Sequence, residues 1–304
     1  MVHGIAVATP PTLLAVPNVS EGRDGDALAA IGLAFAPAGG AVRLLDVHVD
    51  PDHHRGVFSL SGAQGEIADA LVRGGREAAA RIDLREHHGL HPRVGALDVA
   101  PVVYLEERDR GAACAEALTA AAELGEALGA PVFLYGQLST TGAACERAAL
   151  RAGGPEALAE RIASGSLVPD HGPRRLDPRV GAVLVTARPP LIAFNVDLVS
   201  DDLELARRIA AGLRESGGGL PGVRAIGLRL PARGRVQVST NVHDHRAAPL
   251  RAVVEAVAAQ ARIAEAELVG LAPRAALEGF PGEVAIRGFD PEKQLIENAL
   301  RSPG

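Results

Sequence analysis

The sequence predicts an α+β protein made of two ferredoxin-like (βαββαβ) subdomains with a ligand cleft between them. Three observations carry this expectation. Short strand-like runs alternate with segments whose apolar residues recur at helical spacing. The order strand–helix–strand–strand–helix–strand occurs twice, once ahead of residue 140 and once after residue 190. A stretch dense in Gly, Pro and Asp, 164–190, separates the copies and reads as the joint. The boundary is set at 178/179, giving an N-terminal subdomain of residues 1–178 and a C-terminal one of residues 179–304.

The first eleven residues read as a loose extension. TLLAVPN (12–18) is a short strand ending in a turn. In 24–36, Leu28, Ile31 and Phe35 share a helical stripe, and Pro37, Gly39 and Gly40 stop the helix. AVRLLDVHV (41–49) and VFSLSG (57–62) are strands joined by the turn DPDHHRG. Residues 64–83 are helical, with Ile67, Leu71 and Ile82 turned inward. ALDVAPVVYL (96–105) is a strand whose Pro101 suggests an edge or a bulge. An Ala-rich helix covers 109–129, and PVFLYG (131–136) adds a strand. After the joint come a strand at 191–199, a helix at 202–216, and a strand pair at 222–230 and 234–242. A helix at 249–266 and a strand at 267–272 complete the second copy. Side chains alternate along a strand, so 41–49 places Asp46 and His48 on one face with Val42 and Leu44. Asp46 and His48 are therefore expected to look into the cleft together.

Composition narrows the function. A chain of 304 residues with 47% hydrophobic content can bury a full core without disulfide or metal support. The two cysteines, Cys114 and Cys145, form no CxxC pair, which fits a reducing, cytoplasmic setting. A net charge of −6, 3% aromatics and no Trp leave no footprint for nucleic acid. No apolar run is long enough for a membrane span, and the N-terminus does not read as a signal peptide. GxGxxG after a strand, GxxxxGK[ST] and GxSxG are all missing, and the sole lysine is Lys293. Nicotinamide, P-loop and serine-hydrolase chemistry are disfavoured.

HHGLHPRVGALDVAP (87–101) sets three histidines in five residues at the mouth of a strand. Gly89 and Pro92 argue against a helical HHxxH metal motif. His91, locked between Gly89 and Pro92-Arg93, is the candidate proton carrier, because imidazole titrates near neutrality. His87, His53 and His3 are read as solvated loop histidines. A metal site using His48, His54 and His91, as in a metal-dependent amidohydrolase, is the rival reading. In LVPDHGPRRLDPRVGA (167–182), Asp170 and Asp177 could accept from a heterocycle's N–H groups. Arg174, Arg175, Arg179 and Arg188 could meet carboxylates, although the segment also reads as a plain linker. Asn195, polar within an apolar strand, is either a satisfied core amide or a ligand contact.

Eight segments then appear in order: VPNVSEGRD (16–24), LLDVHVDPDHHR (44–55), the 87–101 run, PVFLYG (131–136), PDHGP (169–173), LIAFNVDL (191–198), QVSTNV (237–242) and ELVGLAP (267–273). Together they resemble the formiminotransferase domain family, in its stand-alone form. The resemblance implies transfer of a formimidoyl group from N-formimidoyl-L-glutamate to tetrahydrofolate, as part of histidine degradation and one-carbon metabolism. It implies a homodimer with the folate, a co-substrate, in a tunnel between the halves, and no metal. The family's catalytic histidine falls on His91. Its folate-contacting loop falls on Asp170, Gly172, Pro173 and Asp177, with Asn195 on the neighbouring strand. Asp46 and His48 are expected to support His91, and Arg55 and Arg93 to receive the glutamate carboxylates. Leu90 stands where animal members carry Glu, and His48 where they carry Asp. A related folate-dependent formyl or formimidoyl transferase with a different amine donor is the nearest alternative.

Overall fold

The structure, a computed structural model, describes residues 10–139 and 146–302. His3 and Cys145 lie outside the described residues.

The first half opens with β1 (Thr12–Ala15) and β2 (Asn18–Val19), two pieces of one line interrupted at Pro17. α1 (Gly25–Phe35), β3 (Arg43–Asp50), β4 (Arg55–Ala63), α2 (Ile67–Arg81) and β5 (Leu97–Val103) follow. β4 pairs antiparallel with β3 on one side and with β1 and β2 on the other, and both of the latter pair with β5. The first of the four strands thus lies between the fourth and the third, as a ferredoxin-like unit requires. The chain continues through α3 (Arg110–Leu128), β6 (Val132–Leu134), α4 (Arg147–Arg151), α5 (Gly154–Ala163) and β7 (Val183–Arg188). β7 joins β5 in parallel and β6 joins β7 in parallel, extending the sheet to seven strands.

The second half repeats the plan with β8 (Ile192–Leu198), α6 (Leu203–Leu213), β9 (Val223–Leu230), β10 (Arg235–Val242), α7 (Leu250–Ala258) and β11 (Ile263–Val269). Its order is β11-β8-β10-β9, antiparallel throughout. Two short helices, α8 (Pro291–Gln294) and α9 (Ile296–Ala299), close the described chain. Arg43 on β3 holds that end, donating to the carbonyls of Ala299, Leu300 and Ser302.

Local chemistry explains the helices. The Asp26 and Ala27 N–H groups donate to the Asp24 carboxylate, capping α1, which buries Leu28, Ile31 and Phe35. Gly74 and Gly75 let α2 press against Phe35 on one side and Leu124 on the other. The buried Glu116 carboxylate accepts from the Gly65 and Ala68 N–H groups at the start of α2. Each sheet gives one face to helices. Leu13, Ala15, Phe58, Leu60, Ala100 and Val102 face α1–α3, and Phe194, Val196 and Val238 face α6 and α7. The alternate positions Leu14, Val57, Ser59 and Val99 look toward Ala193, Asn241 and Val269 of the other half. The two sheets therefore stand face to face across a gap.

Four departures from the sequence reading have physical causes. β7 lies inside the stretch read as the joint; as a parallel strand buried on both faces, it is a continuous apolar run without alternation. The chain passes to the second sheet only between Arg188 and Ile192. α4 and α5 were not anticipated, because Gly153, Gly154 and Pro155 break the periodicity between them. The 249–266 segment is not one helix: α7 stops at Ala258 and β11 begins at Ile263. Finally, a bulge between Leu44 and Asp46 shifts the register of β3. Val42 and Leu44 lie on the helix side, whereas Asp46, His48 and Asp50 take the gap side. The expected grouping of Asp46 and His48 with Val42 and Leu44 is thus broken at the bulge.

Candidate active site

A cavity of about 710 Å³ opens where the two sheets diverge. Its wall from the first half comes from the 91–92 loop, Tyr135, Gln137, α4 and the end of β7. The second half contributes Arg224 on β9 and Ser239, Asn241 and His243 on or just after β10. A smaller hollow of about 60 Å³ continues it between the sheets, past Arg55 and Ser59 to Ile296. Arg147 and Arg188 border both spaces.

His91 sits on the cavity wall, and its Nε2 lies 2.7 Å from an Arg55 guanidinium nitrogen. A guanidinium only donates, so Nε2 accepts and the proton of the neutral ring is on Nδ1. Burial, then the charges of Arg55 and Arg151, then His53 and Arg147, hold its pKa well below the ordinary imidazole value. The ring of His53 is 5.9 Å away, centroid to centroid. The His91 loop is fastened to the turn 50–55. The Leu90 N–H donates to the Asp52 carbonyl, and His87 Nε2 is 2.8 Å from the His54 carbonyl oxygen. His53 and His87 are buried, not solvated as the sequence suggested.

Cations surround this imidazole. Arg55 is half-buried, and desolvation with the charges of Arg151 and Arg147 pushes its pKa down to about 10. Burial likewise brings Arg188 down to about 10, beside Tyr135 and Arg147. Arg151 forms a buried ion pair with Asp98 on β5. Arg147 has no hydrogen-bond partner among the described residues. His243 is exposed on the cavity wall, where desolvation and the charges of Arg147, Arg188 and Arg224 lower its pKa. Confined cations of one sign make a site for an anionic ligand, and they keep both imidazoles neutral until one arrives.

Asp46 and His48 belong to a different cluster. His48 Nε2 reaches across the gap to Glu267 Oε1 on β11 at 3.5 Å. Burial raises the pKa of Asp46 in spite of His48 beside it. Burial works against the Glu267 carboxylate too, but the nearby His48, the hydrogen bond from Asn195 and the charge of Arg287 outweigh it and hold its pKa low. Arg233, on the second half, bridges Asp50 at 3.3 Å and Asp197 at 3.5 Å. This polar seam fastens β3 to the second sheet, and its side chains border neither cavity. Asn195 is a satisfied core amide: it is buried and its Nδ2 donates to Glu267 Oε2 at 2.9 Å.

The 170–177 loop does not border either cavity. Asp170 Oδ2 accepts from the Leu134 N–H, tying the loop to β6 at 2.8 Å, and Asp177 accepts from the Arg179 N–H. Gly172, at φ +79°, packs its backbone against Ala130 and Gly125, and the neighbouring Pro173 is exposed. Arg93 holds the loop carbonyls of His87 and Gly89 and does not reach the cavity. His48, His54 and His91 are not brought together: their partners are Glu267, Glu21 and Arg55. Among the described residues no group of three His, Cys, Asp or Glu is arranged to hold a metal ion. Arg147, Arg151, Tyr135 and His243 escaped the sequence reading. The i, i+4 spacing of Arg147 and Arg151 on ERAALR was the available signal.

Two ferredoxin-like halves that close a cation-walled cavity over a neutral imidazole define an enzyme built to take up an anionic substrate. Within that class, the chain belongs to the formiminotransferase domain family. The N-terminal subdomain of that domain matches residues 12–188, and the formiminotransferase domain itself matches residues 193–279. A glutamate formimidoyltransferase of Streptococcus pyogenes serotype M1 is 34% identical over 94% of this chain and 97% of its own length. One from Thermoplasma acidophilum is 36% identical over 94% of this chain and 96% of its own length. The formimidoyltransferase-cyclodeaminase of Sus scrofa is 39% identical over 86% of this chain, which spans 50% of that protein.

Proposed function

We propose that the cavity transfers a formimidoyl group from N-formimidoyl-L-glutamate to tetrahydrofolate, with His91 as the proton carrier. The observation that carries this reading is the neutral His91 imidazole on the cavity wall, its lone pair held by Arg55 with Arg147 and Arg151 close by, in a cavity that Arg188 also lines. The names of the relatives, glutamate formimidoyltransferase among them, support the donor and the group transferred.

Arg55 has a choice of partner. A substrate carboxylate is a stronger acceptor than an imidazole, so donor binding draws Arg55 off Nε2 and frees the lone pair. The folate amine attacks the amidine carbon, forming a C–N bond, and its proton passes to Nε2. The tetrahedral intermediate then collapses. The bond from carbon to the glutamate nitrogen breaks, and the imidazolium returns the proton to that nitrogen. Glutamate leaves as an amine, and His91 is neutral again. Tetrahydrofolate enters as a substrate consumed in stoichiometric amount.

A homodimer and a cytoplasmic setting complete the reading. The resemblance supports both, and the free Cys114 thiol fits the second. No helix among the described residues is long and apolar enough to cross a membrane.

General acid–base catalysis contributes about 10²–10⁴-fold. His91→Ala is therefore expected to lose about that factor in kcat while folate still binds by calorimetry. Near-normal turnover in that variant would remove His91 from the mechanism. Formimidoylglutamate and formylglutamate assayed side by side fix the donor; faster turnover of the formyl compound would favour the alternative transferase.

A further inference from the structure

We propose that His87 is a positioning residue for His91, fastening the 87–91 loop to the turn that presents Arg55. The inference rests on the reading of His91 as proton carrier.

His87 is 6% exposed, and both of its ring nitrogens are engaged. The Gly89 N–H donates to Nδ1 at 3.1 Å. Nδ1 is therefore the unprotonated nitrogen, and Nε2 carries the hydrogen and donates to the His54 carbonyl at 2.8 Å. His54 immediately precedes Arg55. One neutral imidazole thus links the start of the His91 loop to the peptide bearing the His91 partner. The two rings also stack, with centroids 4.1 Å apart and planes 14° from parallel. His54 Nε2 lies 3.0 Å from Glu21 Oε1, and His54 holds a left-handed backbone, φ 51°, that a non-glycine residue rarely adopts. Gly89 has no room for a side chain, because a Cβ there would meet the His53 carbonyl, the His87 ring and His54 Cβ. Three fastenings bring the loop and the turn together: His87 to His54, Leu90 to Asp52, and His91 to Arg55.

Protonation of Nδ1 would set two donors against each other, so the clip works only with a neutral ring. Burial first, then the charges of Arg93 and His54, keeps it neutral by lowering its pKa to about 4. The charged groups facing His91 are Arg55 from β4 and Arg147 and Arg151 from α4, and the titratable His53 faces it from the turn. Loosening the loop moves His91 away from Arg55 and into water. Both changes return its pKa toward the ordinary value of about 6.5.

The test is the pH profile of kcat/KM for formimidoylglutamate in the wild type, His87→Ala, His87→Gln and His91→Ala, with folding checked by circular dichroism. His87→Ala is expected to lose about 10–100-fold in kcat, the loss typical when a partner that orients an active group is removed. Its acid limb is expected to move to higher pH. His87→Gln, whose amide can still donate to the His54 carbonyl, is expected to recover most of the activity and the original limb. A folded His87→Ala enzyme whose limb stays in place overturns the inference even if its rate falls, because a displaced His91 must move the limb. If His87→Ala does not fold, His87→Asn replaces it: its amide is too short for the His54 carbonyl, and an unmoved limb is equally fatal. His91→Ala separates the two levels. A dead His91→Ala with an unmoved limb in His87→Ala refutes only the positioning role, whereas an active His91→Ala refutes the reading beneath it.

Discussion

Arg147 is the residue whose surroundings most directly foretell a measurement. It borders both cavities, its charge weighs on Arg55, His91, Arg151 and Arg188, and no side chain among the described residues neutralises it. A hydrogen bond to a charged group contributes about 1.5–3 kcal/mol. Arg147→Ala is therefore expected to raise the KM for formimidoylglutamate about 10–100-fold with kcat little changed, the signature of lost uniform binding. A fall in kcat at constant KM would contradict this role. The sequence singled out His91 because it stands between Gly89 and Pro92-Arg93 at a strand mouth, and the structure places it on the cavity wall. Asn195 and the 170–177 loop were ambiguous for a definable reason. A buried amide and a capping aspartate have the same composition whether they face a ligand or a backbone N–H, and here Glu267 and Leu134 supply the partners. Arg147 and Arg151 were hidden because their helix has a single turn and follows no start signal.

Among the elements, α2 gives the sharpest contrast between propensity and packing. Gly74 in mid-helix costs about 1 kcal/mol relative to alanine by intrinsic propensity. A methyl there, however, would overlap the fully buried ring of Phe35 on α1. Overpacking a closed core costs about 1–3 kcal/mol, so the clash wins. Gly74→Ala is expected to lower the thermal midpoint. Gly111→Ala in the first turn of α3, where nothing lies within 4 Å, is expected to raise it through helix propensity alone. Equal shifts in the two variants would show that contact with α1 does not decide the sign. The longer helices α1, α2, α3 and α6 were readable because their apolar residues face a sheet. β7 was missed because a strand covered on both sides has no stripe, and α7 was overextended because its alanines suit helix and loop alike. The bulge in β3 left no mark in LLDVHV, yet it decides that Arg43 and Leu45 share the gap face with Asp46 and His48.

The whole molecule carries an electrostatic signature of the face-to-face arrangement. His53, His54, His87, His91, His243 and His245 all have lowered pKa values, and in each burial is the leading cause. Each therefore binds its proton more weakly in the folded chain than in the unfolded one, where the value is about 6.5. Below that pH the unfolded chain holds more protons, and stability must fall as pH falls. The contribution is complete above about pH 6.5. It drains through the window down to about pH 4, where the buried His87 titrates in the folded state. Asp46 and Asp197, raised by burial, act in the opposite sense, but they titrate from 3.8 upward and are two groups against six. Carboxylates of ordinary pKa are silent at pH 6, so a loss beginning there is assigned to imidazoles. At fixed ionic strength the thermal midpoint is expected to be level from pH 8 to 7, lower at pH 6 and lower still at pH 5. A midpoint that holds level to pH 5 would mean that His53, His87 and His91 are solvated, and with His91 the wall of the cavity.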